Sequence, residues 1–233
     1  MSNLITNEEG NTLINRLNAL IEKYNSKIDL RVISGFFNAK AFEALALSQD
    51  KLNSIKMILG KSEQAISKDD IAFYLDDNEL DIFDEQLDDI KATKIAHNFI
   101  KNHQVKIHTL HNDNHTLIHS KMYFLCDENN ANIEQNAIIG SSNFTASGLG
   151  LTGGGGWSNP NKELNLLCDS KETTKDCKEY FDKLLLQCKD STSELLNLLQ
   201  TSYFIIVPKK SYQSLRLTLK TKHNLYLKTN KKI

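Results

Sequence analysis

The stretch that decides the fold has two halves, TLIHSKMYFLCD (residues 116–127) and, after a polar gap, AIIGSSNFT (residues 137–145). Each half holds a short apolar run with β-branched or aromatic residues between turn formers, which predicts two β-strands. Because side chains alternate along a strand, His119 and Lys121 are expected on one face, roughly 6.6 Å apart along the backbone. Ser141 and Asn143 share a face by the same rule. Neighbouring strands would bring these four side chains into one patch.

The four side chains of that patch are an imidazole, an ammonium, a hydroxyl and an amide. A phosphodiester needs a nucleophile or acid, a fixed positive charge, and neutral donors for its non-bridging oxygens. A strand histidine alone would be interpreted as structural, but Lys121 on its face and the second half of the stretch favour phosphoryl chemistry. Ser142, between Ser141 and Asn143, is expected to bind substrate.

His119-x-Lys121 followed by Gly140-Ser141-x-Asn143 resembles the motif of the phospholipase D superfamily, in particular its nuclease-like branch. The resemblance covers roughly residues 29–188 and implies an α/β fold in which a mixed sheet is sandwiched between helices, with one copy per chain. The sequence departs from the motif in two ways. The aspartate that usually lies five residues after the lysine, mainly structural in the family, is Cys126 here, with Asp127 one place late. The gap from Asp127 to Gly140 is also longer than usual.

The resemblance also implies a mechanism in which one histidine attacks phosphorus and a second protonates the leaving oxygen. A single His-x-Lys segment implies a homodimer with His119 near the two-fold axis. It implies no cofactor and no metal, because two lysines neutralise the phosphate charge. Glu163 matches the place of a glutamate that orients the catalytic histidine. The alternative for Glu163 is a surface acid at the start of an edge strand.

Composition indicates a globular protein. The 233 residues are 40% hydrophobic and 24% charged, with 2 prolines and 10 glycines, which suits one large domain without long linkers. The N-terminal residues show no secretory signal, and the longest apolar run is too short to cross a bilayer, so we expect no membrane association and a cytoplasmic location. The four cysteines lack CxxC spacing and are expected to be reduced.

Positive charge is concentrated at the C-terminus. Residues 208–233 hold eight of the 28 basic residues and no acid, whereas all 29 acidic residues lie in 1–207. The sequence therefore predicts a nuclease domain over 1–207 and a basic tail over 208–233, whose Lys209, Lys210 and Arg216 would contact DNA or RNA phosphates. The alternative is a solubilising chain end.

Hydrophobic periodicity predicts alternating helices and strands. The helices are expected over 7–24, 38–47, 69–75, 80–103, 172–188 and 195–199, the first of them with a capping box at Thr6 and Glu9. The strands are expected over 28–37, 54–60, 105–110, the two motif segments, 161–168 and 204–207. His223 and Asn224 are a candidate turn in the tail.

Three further features have competing interpretations. The acids between Asp76 and Asp89 indicate a solvated helix face rather than a calcium loop. His111, His115 and His119 would align as zinc ligands on a helix, but the spacing crosses an Asn-Asp-Asn turn. The glycine-rich run over 150–160 lacks the Gly-Lys-Ser/Thr of a phosphate loop; it contains Trp157, which could stack on a base or anchor the loop.

These patterns predict a cytosolic, metal-independent phosphodiesterase acting on nucleic acid, in particular a DNA endonuclease of restriction or defence type. One alternative is a phospholipase, which uses the same chemistry on lipid. Another is an inactive nucleic-acid-binding module that works with a helicase or restriction partner, an interpretation favoured by the displaced aspartate. Fold alone does not decide among them.

Overall fold

A single mixed sheet organises the chain. Its strands are β1 (Leu4–Ile5), β2 (Ile28–Ser34), β3 (Leu52–Leu59), β4 (Val105–Leu110), β5 (Met122–Cys126), β6 (Asn136–Gly140), β7 (Asn165–Cys168) and β8 (Cys188–Asp190). They lie in the order β1-β7-β6-β5-β2-β3-β4-β8. Strands β2, β3 and β4 are parallel, and all other neighbours are antiparallel. The structure is a computed structural model that describes residues 3–8, 10–46, 48–59, 82–102, 104–111, 118–128, 130, 135–151 and 161–201.

Helices cover both faces of the sheet. They are α1 (Leu13–Lys23), α2 (Ala39–Ala46), α3 (Ile82–Asn102), the short α4 (Ala146–Leu149), α5 (Lys171–Leu185) and α6 (Thr192–Thr201). One core lies between the sheet and α1, α2, α3 and α6, and includes Leu17, Phe42, Phe99 and Leu195. The other lies under α5, which contributes Phe181. The predicted class, a mixed sheet between helices, is confirmed.

Helix α1 begins six residues later than the sequence prediction. The hydroxyl of Thr12 accepts the N–H of Asn15, so Thr12 rather than Thr6 is the N-cap. Asn7 adopts a positive φ of 58° and its Oδ1 accepts the N–H of Leu13 at 2.9 Å. The side chain of Asn7 therefore holds a turn that precedes the helix.

The motif strands are shorter than predicted. His119 and Lys121 precede β5, and Ser141 and Asn143 follow β6, so the expected alternation of these side chains on strands is wrong. Likewise β7 begins at Asn165, two residues after Glu163. Because β5 and β6 are antiparallel, with Met122 opposite Ile139, the start of one strand lies beside the end of the other. The two motif segments are therefore adjacent, at one end of β5 and β6.

Other strand and helix boundaries also differ from those predicted from the sequence. The predicted strand 28–37 ends at Ser34, where Gly35 bends the chain. Helix α5 ends at Leu185, and Cys188 begins the unpredicted edge strand β8. The two-residue strand β1 was also not predicted. The predicted helix 69–75, strand 204–207 and C-terminal tail lie outside the described residues.

Candidate active site

Lys121 and His119 lie at the entry to β5. Lys121 is 7% exposed, and its ammonium donates to the carbonyl oxygen of His119 at 2.7 Å. Burial lowers the pKa of Lys121, an effect that the nearby carboxylate of Glu163 partly offsets. The side chain of His119 is exposed. The pair thus presents an accessible imidazole beside a shielded positive charge.

The Gly140–Asn143 turn lies beside this pair. The N–H of Gly140 donates to the carbonyl oxygen of Lys121 at 3.3 Å, which joins the two motif segments directly. Gly140 has no room for a side chain, because a Cβ there would lie 2.3 Å from the carbonyl oxygen of Leu164 and 2.5 Å from Oδ1 of Asn165. The glycine is therefore required by the close approach of β7.

Asn143 is oriented by the end of β2. Its Oδ1 accepts the N–H of Phe36 at 3.3 Å and lies 3.4 Å from the hydroxyl of Ser34. The Ser34 hydroxyl also accepts the N–H of Phe144 at 2.8 Å. With the oxygen engaged, the other end of the amide, Nδ2, is the donor that remains for a ligand. An N–H donor of this kind can bind a phosphate oxygen.

Ser141 contacts Glu163. The hydroxyl of Ser141 donates to Oε2 of Glu163 and accepts the N–H of Leu164 at 3.0 Å. Oε1 of Glu163 accepts from the side chain of Asn161 at 3.2 Å. Within the described residues, no hydrogen bond joins Glu163 to His119. The carboxylate is thus fixed through Ser141 and Asn161, at a position from which its charge acts on Lys121.

Ser142 occupies a different place from the one expected of a substrate-binding residue. It is fully buried. Its hydroxyl accepts from Nδ2 of Asn165 at 2.8 Å, and its N–H donates to Oδ1 of the same side chain at 3.2 Å. The hydroxyl of Tyr123 donates to the Ser142 carbonyl oxygen at 3.2 Å. Direct contact with substrate is therefore replaced by a structural role: Ser142 fixes the turn that carries Ser141 and Asn143.

Sequence reasoning missed Ser34, Tyr123 and Asn165, the side chains that hold the turn. Burial raises the pKa of Tyr123 well above its usual value, and the charge of Glu163 raises it further, so the phenol remains a donor. The available signals were weak. Ser34 precedes a glycine bend, and Asn165 is a polar residue at an inward position of an apolar strand.

Cys126, which stands where the motif has its aspartate, lies at the end of β5 farther from His119 and Lys121. Cys126 is buried there, and burial raises the pKa of its thiol to about 11. Its cross-strand neighbour is Asp29, a buried carboxylate that accepts from Asn53 at 2.9 Å, from Ser54 at 2.6 Å and from the N–H of Glu128 at 3.0 Å. The neighbouring strand therefore supplies a structural carboxylate opposite Cys126.

The remaining predicted contacts fall outside the described residues: Trp157, Lys209, Lys210 and Arg216. Two of the three histidines weighed as zinc ligands are described, His111 and His119; His115 is not. Among the described residues, no cluster of His, Cys, Asp or Glu side chains is suited to hold a metal ion. No described helix is both long enough and apolar enough to cross a membrane.

Comparison with known proteins identifies the family. The sequence profile described as "Cardiolipin synthase, PLD-like domain" matches residues 17–185, a range that includes the predicted catalytic residues His119, Lys121, Ser141, Asn143 and Glu163. No curated protein sequence matches the chain.

Many solved structures are similar to the chain, and three of them are described here. Nuc of Salmonella typhimurium, a phospholipase D family member, is 16% identical over 80% of this chain and 95% of its own, with a TM-score of 0.47. NucT of Helicobacter pylori is 15% identical over 80% and 96%, with a TM-score of 0.46. Phosphatidylserine synthase of Haemophilus influenzae Rd KW20 is 11% identical over 96% and 46%, also with a TM-score of 0.46. On the profile match, which covers most of its length, the chain belongs to the phospholipase D-like family.

Proposed function

We propose that the protein is a phosphodiesterase that hydrolyses nucleic acid, in particular a DNA endonuclease, without a metal ion. The observation that carries the proposal is the cluster at one end of β5 and β6: the exposed imidazole of His119, the shielded ammonium of Lys121 and the amide of Asn143, whose oxygen is engaged within the fold. Membership of the phospholipase D-like family supports phosphodiester chemistry. We further propose that the protein acts in restriction or defence, together with a helicase or restriction-system partner.

The reaction has two steps. The imidazole of His119 attacks phosphorus, so that a P–N bond forms while the bond to the leaving oxygen breaks. That oxygen takes a proton from an imidazolium contributed by His119 of a second copy of the chain. A water molecule, deprotonated by this second imidazole, then attacks phosphorus and releases His119. The site is therefore shared across a homodimer.

The other groups have electrostatic and positioning roles. Lys121 and Nδ2 of Asn143 would hold the non-bridging oxygens and stabilise the charge of the transition state. Glu163, held by Ser141, would stabilise the imidazolium across the site, either of its own chain or of the second copy. With a lysine from each copy beside the phosphate, the positive charge that a divalent cation would bring is already present.

A buried carboxylate on β2 weakens the alternative that the protein is an inactive nucleic-acid-binding module. That alternative was favoured by the missing motif aspartate, but the buried carboxylate of Asp29 lies directly opposite Cys126 and binds three donors. This buried carboxylate supports an ordered structure around Cys126, at the end of β5 away from His119 and Lys121, and so favours the enzyme over the inactive module.

Substrate and metal dependence can be tested together. The purified protein would be incubated in excess EDTA with plasmid DNA, single-stranded DNA, RNA, phosphatidylcholine vesicles and bis(p-nitrophenyl) phosphate. The proposal expects cleavage of DNA and of the small ester, undiminished by EDTA. Hydrolysis of the vesicles alone would indicate a phospholipase, and activity that returns only on addition of magnesium or zinc would contradict the metal-free mechanism.

The basic tail is proposed to bind the substrate backbone. Its eight cations, which include Lys209, Lys210 and Arg216, have no acids among them. Each phosphate contact contributes about 0.9 to the slope of log K against log salt for duplex DNA. Removal of residues 209–233 should weaken DNA binding and flatten that slope, while hydrolysis of bis(p-nitrophenyl) phosphate continues. Unchanged binding by a folded truncation would show that the tail does not contact substrate.

A further inference from the structure

Tyr180 on α5 lies beside the candidate site. Its side chain is 49% exposed, and its hydroxyl forms a hydrogen bond of 3.2 Å with the hydroxyl of Ser120. Ser120 is the residue between His119 and Lys121. A tyrosine that lies 60 positions further along the chain is therefore joined to the motif segment itself.

The core makes little use of the Tyr180 ring. Helix α5 faces the smaller core with Cys177 and Phe181, and Leu184 and Leu185 pack against the same core. Tyr180 lies outside that apolar stripe, and no aromatic ring among the described residues stacks on it. About half of its surface thus faces solvent next to the site.

The position of the Tyr180 ring is fixed from two sides. The next residue, Phe181, is fully buried, and the guanidinium of Arg31 lies 5.2 Å from the centroid of its ring. The residue after that, Asp182, accepts from the same guanidinium at 2.9 Å. These contacts hold the helix, and Ser120 holds the hydroxyl. A ring that is oriented in advance loses little entropy when it binds a ligand.

An exposed aromatic ring beside a phosphate site matches an unpaired nucleobase. Every internal phosphate of a nucleic acid joins two nucleosides, so a phosphate at Lys121 and Asn143 brings bases close to the site. Stacking on an aromatic side chain suits any sequence, because every base has a π-face. In a duplex, the base must first leave its partner and its neighbours, which costs free energy. The ring therefore favours single strands.

We infer that Tyr180 is a specificity-determining residue: a base next to the scissile phosphate stacks on its ring, so that the site takes single-stranded nucleic acid in preference to duplex. The inference rests on the proposed function and names the form of its substrate. Ser120 orients the ring through its hydroxyl. The ring of Tyr180, rather than its phenol oxygen, is the group that binds.

The test measures binding apart from cleavage. All variants carry His119→Ala, so that the substrate stays intact. Dissociation constants for a fluorescein-labelled single-stranded oligonucleotide and for its duplex are measured by fluorescence anisotropy in EDTA. Tyr180→Leu removes the ring but keeps an apolar side chain. Tyr180→Phe and Ser120→Ala are the matched controls, because each removes the bond between the two hydroxyls and keeps a ring.

Tyr180→Leu should weaken single-strand binding by about 5- to 150-fold, the range for one lost base stack, and leave duplex binding nearly unchanged. Both controls should retain most of the single-strand affinity. Unchanged affinity in Tyr180→Leu, or equal losses for the two oligonucleotides, would overturn the inference. Equal losses in Tyr180→Leu and in the controls would also overturn it, since the hydroxyl bond rather than the ring would then matter.

Two further outcomes are decisive. A chain that binds neither oligonucleotide would overturn the inference. Circular dichroism checks folding, and if Tyr180→Leu does not fold, Tyr180→Gln replaces it under the same criteria.

The binding result is independent of catalysis. If the chain binds single strands through Tyr180, but with His119 intact hydrolyses neither DNA nor bis(p-nitrophenyl) phosphate, the stacking residue is supported and the proposed function alone is refuted. If the chain cleaves DNA while Tyr180→Leu leaves both affinities unchanged, the proposed function stands and the inference falls.

Discussion

Ser141 donates its hydroxyl hydrogen to the carboxylate of Glu163, and the N–H of the next residue, Leu164, donates back to the same hydroxyl oxygen. The single hydroxyl hydrogen of the serine is thereby used within the fold. Its place in the motif had suggested a donor to phosphate, whereas this geometry supports a role as the residue that positions Glu163. The two roles give different kinetic results.

Substitutions at Ser141 and Glu163 should therefore act alike. Glu163→Gln removes the charge that would stabilise an imidazolium, and we expect kcat to fall by about 10²-fold or more, the range of general acid–base effects. Ser141→Ala leaves the charge but frees the carboxylate, so kcat should fall less, with little change in KM. The measurement is steady-state hydrolysis of bis(p-nitrophenyl) phosphate. A rise in KM with unchanged kcat for Ser141→Ala would indicate instead that the serine binds substrate.

Lys121 should stabilise the transition state. Lys121→Ala removes a positive charge from a largely desolvated place, and loss of one such donor costs about 10²- to 10³-fold in kcat. The control is Lys162→Ala, an exposed lysine one residue from Glu163, which should retain most activity. Equal losses in the two variants would show that general positive charge, rather than the placement of Lys121, supports the reaction.

A substitution at Gly140 tests how closely the turn packs against β7. Gly140→Ala places a Cβ 2.3 Å from the Leu164 carbonyl oxygen, so β7 must shift, and overpacking of this kind costs about 1–3 kcal/mol. Gly35→Ala is the control, because its nearest contact would be 3.2 Å from the carbonyl oxygen of Ile118. Urea unfolding should show the larger loss for Gly140→Ala. Equal stability of the two variants would contradict the close approach of β7.

The stability of the fold should depend on pH through the carboxylate of Glu128. Partial burial alone would raise the pKa of Glu128, but hydrogen bonds from Lys56 and Arg31 outweigh it and hold the pKa below the ordinary value. The stabilisation is present above the unfolded-state pKa and is lost as pH falls through the lower folded-state pKa. Urea unfolding should therefore show that wild type loses its advantage over Glu128→Gln as pH drops below about 4.3. A constant difference across that window would contradict the ion pairing.

The sequence predicted elements whose signals are local. Strand β4 lies at Val105–Leu110 as expected, because its β-branched and apolar residues alternate with polar ones between turn formers. Helix α2 follows Asn38, whose side chain accepts the N–H of Ala41 at 3.1 Å, the expected cap. These features are determined within a few residues and need no knowledge of the rest of the chain.

The site was harder to predict because tertiary contacts build it. The motif residues flank β5 and β6 instead of lying on them, since β6 ends at Gly140, where it meets the chain that enters β7, and β5 begins only at Met122. The clamp of Asn165 on Ser142 joins residues that are 23 positions apart. Periodicity describes which face of an element is apolar, but it carries no information about such cross-chain hydrogen bonds.

The most direct test of the shared site mixes wild-type subunits with His119→Ala subunits that carry a different affinity tag, so that heterodimers can be isolated by two purification steps. Each heterodimer holds one imidazole where the proposed reaction needs two. The account predicts that heterodimers hydrolyse DNA at a small fraction of the wild-type rate, while phosphate-linked DNA accumulates on the remaining His119. Heterodimers that retain half of the wild-type activity would show that each chain has a complete site of its own, and would contradict the account.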